Sequence, residues 1–257
     1  MIDLHCHVLP GIDDGPATLE GSLALARAAQ RSGTRTLVAT PHVSPRYFND
    51  AATIARLVGE VGAAIGAQHL QVELLPGAEI ASERIADLAD EELSRLALGG
   101  SSWLLVECPL SPGVVGFDTI VRYLQERGHR IVLAHPERSP MFQREPRMLH
   151  ELVRSGMLVS VTADALLGRF GRGVQRYAQA LARDELIHNV ASDAHDHVQR
   201  PPGIAAALER AGLAALAEWL TQAVPAAILA DAEIPPRPRS TGAAPAAGWR
   251  RWWSARG

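Results

Sequence analysis

Ile2-Asp3-Leu4-His5-Cys6-His7 opens the chain as a short apolar run that ends in side chains able to bind a metal. Six further runs end in a similar way. They are Leu37-Val38-Ala39-Thr40-Pro41-His42, Leu74-Leu75-Pro76-Gly77-Ala78-Glu79, Trp103-Leu104-Leu105-Val106-Glu107, Ile131-Val132-Leu133-Ala134-His135, Leu158-Val159-Ser160-Val161-Thr162 with Asp164 just beyond, and Val190-Ala191-Ser192-Asp193-Ala194-His195. The runs are β-branched and mostly continuous rather than alternating, as strands buried on both faces read. Helical patterns separate most of them. They cover 17–32, with Thr18 as cap and Gly33 as stop, and 50–67, capped by Asn49 or Asp50. Others fit 82–95, 115–127, 145–155, 173–184 and 202–231, the last broken near Gly212 and Pro225. This alternation predicts an α/β fold on a parallel sheet. A closed TIM-like barrel explains the strand ends better than an open sheet, because a barrel gathers them at one mouth.

The 257 residues suffice for one large domain, and 47% hydrophobic content argues against disorder. A net charge of −3 gives no case for nucleic acid as a partner. Cys6 and Cys108 form no disulfide framework, and the N-terminus shows no basic n-region with an apolar h-region, so a cytoplasmic chain is expected. No apolar stretch is long enough to span a bilayer. The composition changes at Pro235, giving a domain over 1–234 and a Pro/Arg/Trp-rich tail over 235–257. Its Trp249-Arg250-Arg251-Trp252-Trp253 end is read either as a locally packed terminus or as a docking segment for a membrane surface or a partner.

His5 and His7 lie two apart on a strand and share a face, so both imidazoles can reach one ion. Asp13 and Asp14 sit between Gly11 and Gly15, either as a plain turn or as an oxygen ligand beside the His pair, with Asp14 preferred. His42, Glu79, Glu107, His135, Asp193 and His195 complete a set with more ligands than one ion uses. A mixed His and carboxylate set without thiolates suits Mn, Fe or Zn, in two or three divalent ions. Such a cluster activates water and clamps phosphoryl oxygens. Arg138 and Arg200, near strand ends, and Arg46, in the loop after His42, are candidate phosphate ligands. Arg169 and Arg172 are further candidates near the mouth, with surface ion pairs as the alternative reading for most of these arginines. A cysteine phosphatase needs Arg six residues after its Cys, but Ile12 and Val114 stand there. Neither a Gly-x-Ser-x-Gly elbow nor a Walker loop occurs.

These residues resemble the PHP (polymerase and histidinol phosphatase) superfamily, and more closely its bacterial CpsB/CapC-type protein-tyrosine phosphatases. The resemblance rests on MIDLHCHVLPGIDDG (1–15), ATPH (39–42), GAEI (77–80), AHPER (134–138), LLGRFG (166–171) and ASDAH (191–195), in order over about residues 1–230. It implies a distorted (β/α)7 TIM-like barrel with a trinuclear site. His5, His7, Glu79 and Asp193 would hold the first ion. Glu79, Glu107 and His135 would hold the second, with Glu79 bridging, and Asp14, His42 and His195 the third. Arg138 and Arg200 would bind phosphate, and His42 could assist the leaving group. The implied activity is metal-dependent hydrolysis of phosphotyrosine in proteins. The implied partner is a bacterial tyrosine kinase that regulates capsule or exopolysaccharide synthesis. Cys6, the Val43–Arg46 loop and Ser139 depart from the usual pattern and bear on substrate details. Two other readings stay open: a histidinol-phosphate-type small-molecule phosphatase, and a non-catalytic regulatory module. The second would need a missing ligand, and none is missing.

Overall fold

The computed structural model describes residues 1–111 and 114–238. All seven apolar runs form strands, and two continue past a break. The strands are β1 (Ile2–Cys6), β2 (Thr36–Ala39), β3 (His42–Val43), β4 (Glu73–Pro76), β5 (Glu79–Ala81), β6 (Trp103–Glu107), β7 (Arg130–Ala134), β8 (Leu158–Thr162) and β9 (Asn189–Ala191). Every pairing is parallel. The order is β1-β2-β4 in one sheet and β3-β5-β6-β7-β8-β9 in the other.

The split has a local cause. The run carrying β2 breaks at Thr40-Pro41, where proline has no N–H for the ladder. The run carrying β4 breaks at Gly77-Ala78. Each resumes in the second sheet, where His42 pairs with Glu79. At the far side, Asp193 N donates to His5 O (2.9 Å) and His7 N to Ala194 O (2.9 Å), bringing the end of β9 beside β1. The hydrogen-bond ladder is therefore two parallel sheets rather than one continuous closed one.

Helices cover the strands. Leu19–Arg31 is capped by Thr18, whose hydroxyl accepts from Gly21 N, and Ala51–Ala67 by Asp50, which accepts from Thr53 N. Phe117–Glu126, Pro146–Arg154 and Arg172–Arg183 follow the predicted periods. The expected helix over 82–95 is two pieces, Ser82–Ile85 and Asp90–Arg95. The second begins with Asp90-Glu91-Glu92, acids that favour a new N-terminus. The 202–231 region also divides, into Ile204–Arg210, short turns and Val224–Leu229. No described helix is long and apolar enough to cross a membrane.

The core is the strands themselves. β1 and β8 are buried throughout, and Trp103, Phe117 and Phe142 are its bulkiest fully buried side chains. Each such side chain stabilises by about 1.5–3 kcal/mol when withdrawn from water. Pro235 O accepts from Trp219 Nε1 (2.9 Å), and Arg237 donates to Ile187 O (3.0 Å), so the first tail residues lie against the domain. The Trp249–Arg256 segment lies outside the described residues.

Candidate active site

The strands deliver their terminal side chains to one place. His5 Nε2 and His7 Nε2 lie 3.2 Å apart. Asp193 Oδ1 is 3.6 and 3.5 Å from them, and Glu79 Oε2 is 3.3 and 3.5 Å away. These are five of the six edges of a cage. Four donors about 2.0–2.2 Å from a central ion have edges of roughly 3.3–3.6 Å. Each of these five spacings suits donors that share a cation, with Asp193 grouped with His5 and His7 and Glu79 grouped with His5 and His135. Glu79 Oε2 is buried and makes no well-aligned hydrogen bond, facing only imidazole nitrogens, the nearest being His42 Nδ1 at 3.0 Å. Buried polar atoms without partners are costly, and a bound cation would satisfy the carboxylate.

Donor atoms cluster in four overlapping groups, each within 4.8 Å: His7, Asp14, His42 and His195; His5, His7 and Asp193; His5, Glu79 and His135; and His42, Glu79 and Glu107. All nine ligand candidates thus meet in one centre. Glu79 touches both flanks, with Oε1 2.6 Å from His135 Nε2 and Oε2 3.0 Å from His42 Nδ1. Glu107 groups with His42 rather than with His135. His135 and Asp193 hold left-handed backbone (φ 37° and 52°), strain that turns both side chains at strand ends.

Asp13 and Asp14 divide the work between them. Asp14 Oδ1 faces His195 Nε2 (3.3 Å) and His42 Nε2 (3.5 Å). Asp13 accepts from His7 Nδ1 (2.7 Å), Gly15 N (2.9 Å) and His42 N (3.1 Å), which aims His7 Nε2 inward. Sequence reasoning gave Asp13 no such role, because two adjacent carboxylates on a turn look alike. Asp3 is buried and accepts from Ser192 N (3.0 Å), joining the β1 and β9 ends without reaching the donor cluster.

The electrostatics follow from burial and crowding. Burial and the Glu79 charge push Glu107 up to about 8. Burial lowers His7, but hydrogen bonds to Asp13, Asp193 and Glu79 outweigh it and hold the ring well above its usual range. Burial and the neighbouring Arg138 depress His135 to about 4. Burial would raise Asp193, yet the His5 charge and the hydrogen bond from His7, with Arg200 beside it, hold it well below the carboxylate range.

Asp193 also faces the arginines. Its Oδ2 accepts from Arg138 (2.9 Å) and Arg200 (2.6 Å). Arg46 is exposed and stands 5.1 Å over the Tyr47 ring, which stacks on His42 at 5.7 Å. Asp164 lies in the first turn of the short helix Ala163–Leu166, pairs with Arg169 (3.3 Å), and belongs to none of the four donor groups. Glu137 lies in the AHPER segment. It is fully buried and accepts from Thr162 N (2.9 Å), and nothing in the sequence signals that.

Residues 1–217 match the family described as "Capsular polysaccharide synthesis, CpsB/CapC". The chain is 36% identical over 206 residues to the tyrosine-protein phosphatase YwqE of Bacillus subtilis (strain 168), spanning 76% of this chain and 78% of that protein. It is 28% identical over 217 residues to the tyrosine-protein phosphatase CpsB of Streptococcus agalactiae, spanning 80% and 88%. Among solved structures it is similar to one from a set of YwqE of Bacillus subtilis and CpsB of Streptococcus pneumoniae, described as metal-dependent tyrosine phosphatases. The TM-score is 0.80 at 31% identity, over 93% of this chain and 99% of that one.

Proposed function

The chain belongs to the CpsB/CapC family of capsular polysaccharide synthesis proteins, and from that premise we propose that it is a metal-dependent protein-tyrosine phosphatase. The observation that carries the reading is the meeting of nine His and carboxylate ligand candidates beside two arginines on one Asp193 oxygen. Two or three divalent ions, Mn foremost, would be held by His5, His7, Glu79 and Asp193, by Glu79, Glu107 and His135, and by Asp14, His42 and His195. Bound there, such ions supply Lewis acidity and an activated water.

The chain's own groups do the rest. Arg138 and Arg200 take the phosphoryl oxygens as charge builds on them. Asp193 holds both guanidiniums at one point until substrate arrives. The tyrosinate leaving group has a pKa of about 10, so a strong general acid is unnecessary. His42 is the most exposed imidazole of the cluster (16%), and its proton affinity is raised by Glu79 against burial. As a ligand it gives up its proton when the cation binds, so the departing tyrosinate takes its proton from solvent. Arg46 on the rim contacts the substrate flank.

The site opens on one edge, where the Asp14 side chain is 45% exposed, which favours a phosphoprotein over a small enclosed phosphomonoester. The partner in this reading is a bacterial tyrosine kinase that regulates capsule or exopolysaccharide synthesis, met in the cytoplasm. Seven strand positions, with β2 and β4 continuing as β3 and β5, support reading the two sheets as a distorted, unclosed (β/α)7 barrel over 1–234. Hydrolysis of a phosphotyrosine peptide, p-nitrophenyl phosphate and histidinol phosphate with Mn and with chelator tests the reading. Peptide hydrolysis is expected to need metal and to exceed histidinol phosphate hydrolysis. Full activity in chelator, or in a His5→Ala/His7→Ala double variant, would refute it.

A further inference from the structure

Arg138 and Arg200 present a physical problem. Two cations converge on one carboxylate oxygen, repel each other, and keep substantial exposure (20% and 28%). A single shared acceptor does not fix the plane of either guanidinium. A third element does. The Phe170 ring lies 4.5 Å from the Arg138 guanidinium carbon and 5.9 Å from that of Arg200. An aromatic face attracts both cations without consuming an N–H donor. Every donor on the phosphate side stays available.

The placement follows from the topology. Arg138 follows β7 and Arg200 follows β9, and β8 lies between those strands. Phe170 comes from the segment after β8, so it enters from between its two clients. That segment is locked. Arg169 N donates to Asp164 O (3.1 Å) and Gly171 N to Gly168 O (3.0 Å). Gly168 adopts φ +80°, and a Cβ there would meet the Gln175 amide at 2.9 Å. Gln175 Nε2 in turn donates to Leu166 O (3.1 Å). Phe170 is partly buried and packs on the core, so its ring is a fixed platform.

We propose that Phe170 is a positioning residue for phosphate recognition, a platform that orients Arg138 and Arg200 together; this rests on the phosphatase reading of the same site. It touches neither metal ligands nor the phosphoryl group in this role. Arg138 and Arg200 act through charge and hydrogen bonds, and Phe170 sets where those point.

The test uses the full chain loaded with Mn, as wild type, Phe170→Ala, Phe170→Leu and Phe170→Tyr. Metal content, calorimetric binding of inorganic phosphate, and KM and kcat for p-nitrophenyl phosphate are read in parallel. The Ala and Leu variants are expected to keep full metal content, to bind phosphate about five- to thirtyfold more weakly, and to show a matching rise in KM. The Tyr variant, which keeps a π face, is expected within about twofold of wild type. Should the Ala variant fail to fold, the Leu variant carries the test, because it keeps most of the packed volume. Phosphate affinity in the Leu variant within twofold of wild type would overturn the proposal, as would a wild type that binds no phosphate. A wild type that binds phosphate through Phe170 yet hydrolyses no aryl phosphate would support it while refuting the phosphatase reading.

Discussion

Replacing Asp13 with Asn tests whether the centre depends on a residue that is not itself grouped with the ligands. Asp13 Oδ2 accepts from His7 Nδ1 (2.7 Å) and His42 N (3.1 Å), while Oδ1 accepts from Gly15 N (2.9 Å). Asn keeps one acceptor oxygen, so either Gly15 N or the His7 and His42 pair must face an NH2 group. The stranded donor costs about 1–3 kcal/mol of stability. The imidazole loses a charged partner that fixes its tautomer and raises its basicity, a change worth about 10–100-fold in metal affinity, or roughly 1.4–2.7 kcal/mol. A second effect runs the other way. The Asp13 hydrogen bond helps hold the His7 pKa well above its usual range, so in wild type a cation must displace that proton. Asp13→Asn makes the proton easier to displace. The measured loss is therefore expected in full at high pH and to shrink as pH falls. Competitive titration with a chelating dye between pH 6 and about 9 reads both terms. Affinity within twofold of wild type across the range, or a loss that grows as pH falls, would refute the reasoning.

Three other outcomes follow from single groups. Glu137 is fully buried, and burial raises it to about 7 from 4.5. Its folded state holds the proton more tightly, so the stability it confers is complete below about pH 4.5 and is lost as pH rises through about 7. Glu137→Gln, which mimics the protonated form, is expected to be more stable than wild type by up to about 3 kcal/mol above pH 7 and equal to it at low pH, read by urea unfolding of the metal-free chain. A pH-independent difference would contradict this. Glu107, raised to about 8, carries a proton at neutral pH until a cation expels it. Metal binding at pH 7 is expected to release that proton, seen as a buffer-dependent calorimetric enthalpy that falls in Glu107→Gln. At Gly15 an added Cβ would lie 2.4 Å from His7 O, so Gly15→Ala is expected to displace the Asp13 turn and lower both thermal stability and metal content. An unchanged melting temperature would show that the turn yields freely.

Much of this centre was legible because strand-end chemistry repeats. The runs ending at His5, His42, Glu79, Glu107, His135 and Asp193 could be read one by one, and parallel pairing alone brings their ends to one side. What stayed hidden depends on tertiary direction. Nothing in Ile12-Asp13-Asp14-Gly15 tells which carboxylate turns toward the imidazole Nδ1 and which toward the donor cluster. The resemblance pairs Glu107 with His135 through Glu79, and the grouping of Glu107 with His42 and the same Glu79 leaves no trace in the spacing. Phe170 was an unremarked aromatic in Leu167-Gly168-Arg169-Phe170, since contact with two distant arginines leaves no local pattern. The break of β2 at Pro41 was visible as a proline, but its effect, a step from one sheet to the other, needs the partner strand. The 82–95 helix failed as one piece because the period of its apolar residues persists across a turn that resets the backbone.

Asp193 offers one oxygen to the imidazoles and the other to the arginines, and it has a single charge to share. A cation drawing on Oδ1 weakens the grip of Oδ2, so Arg138 and Arg200 become freer to turn toward an incoming anion. Reciprocity then requires that phosphate strengthen cation binding by the same factor that the cation strengthens phosphate binding. The chain is thus expected to retain its metals best while engaged with substrate or product, and to surrender them most readily when idle.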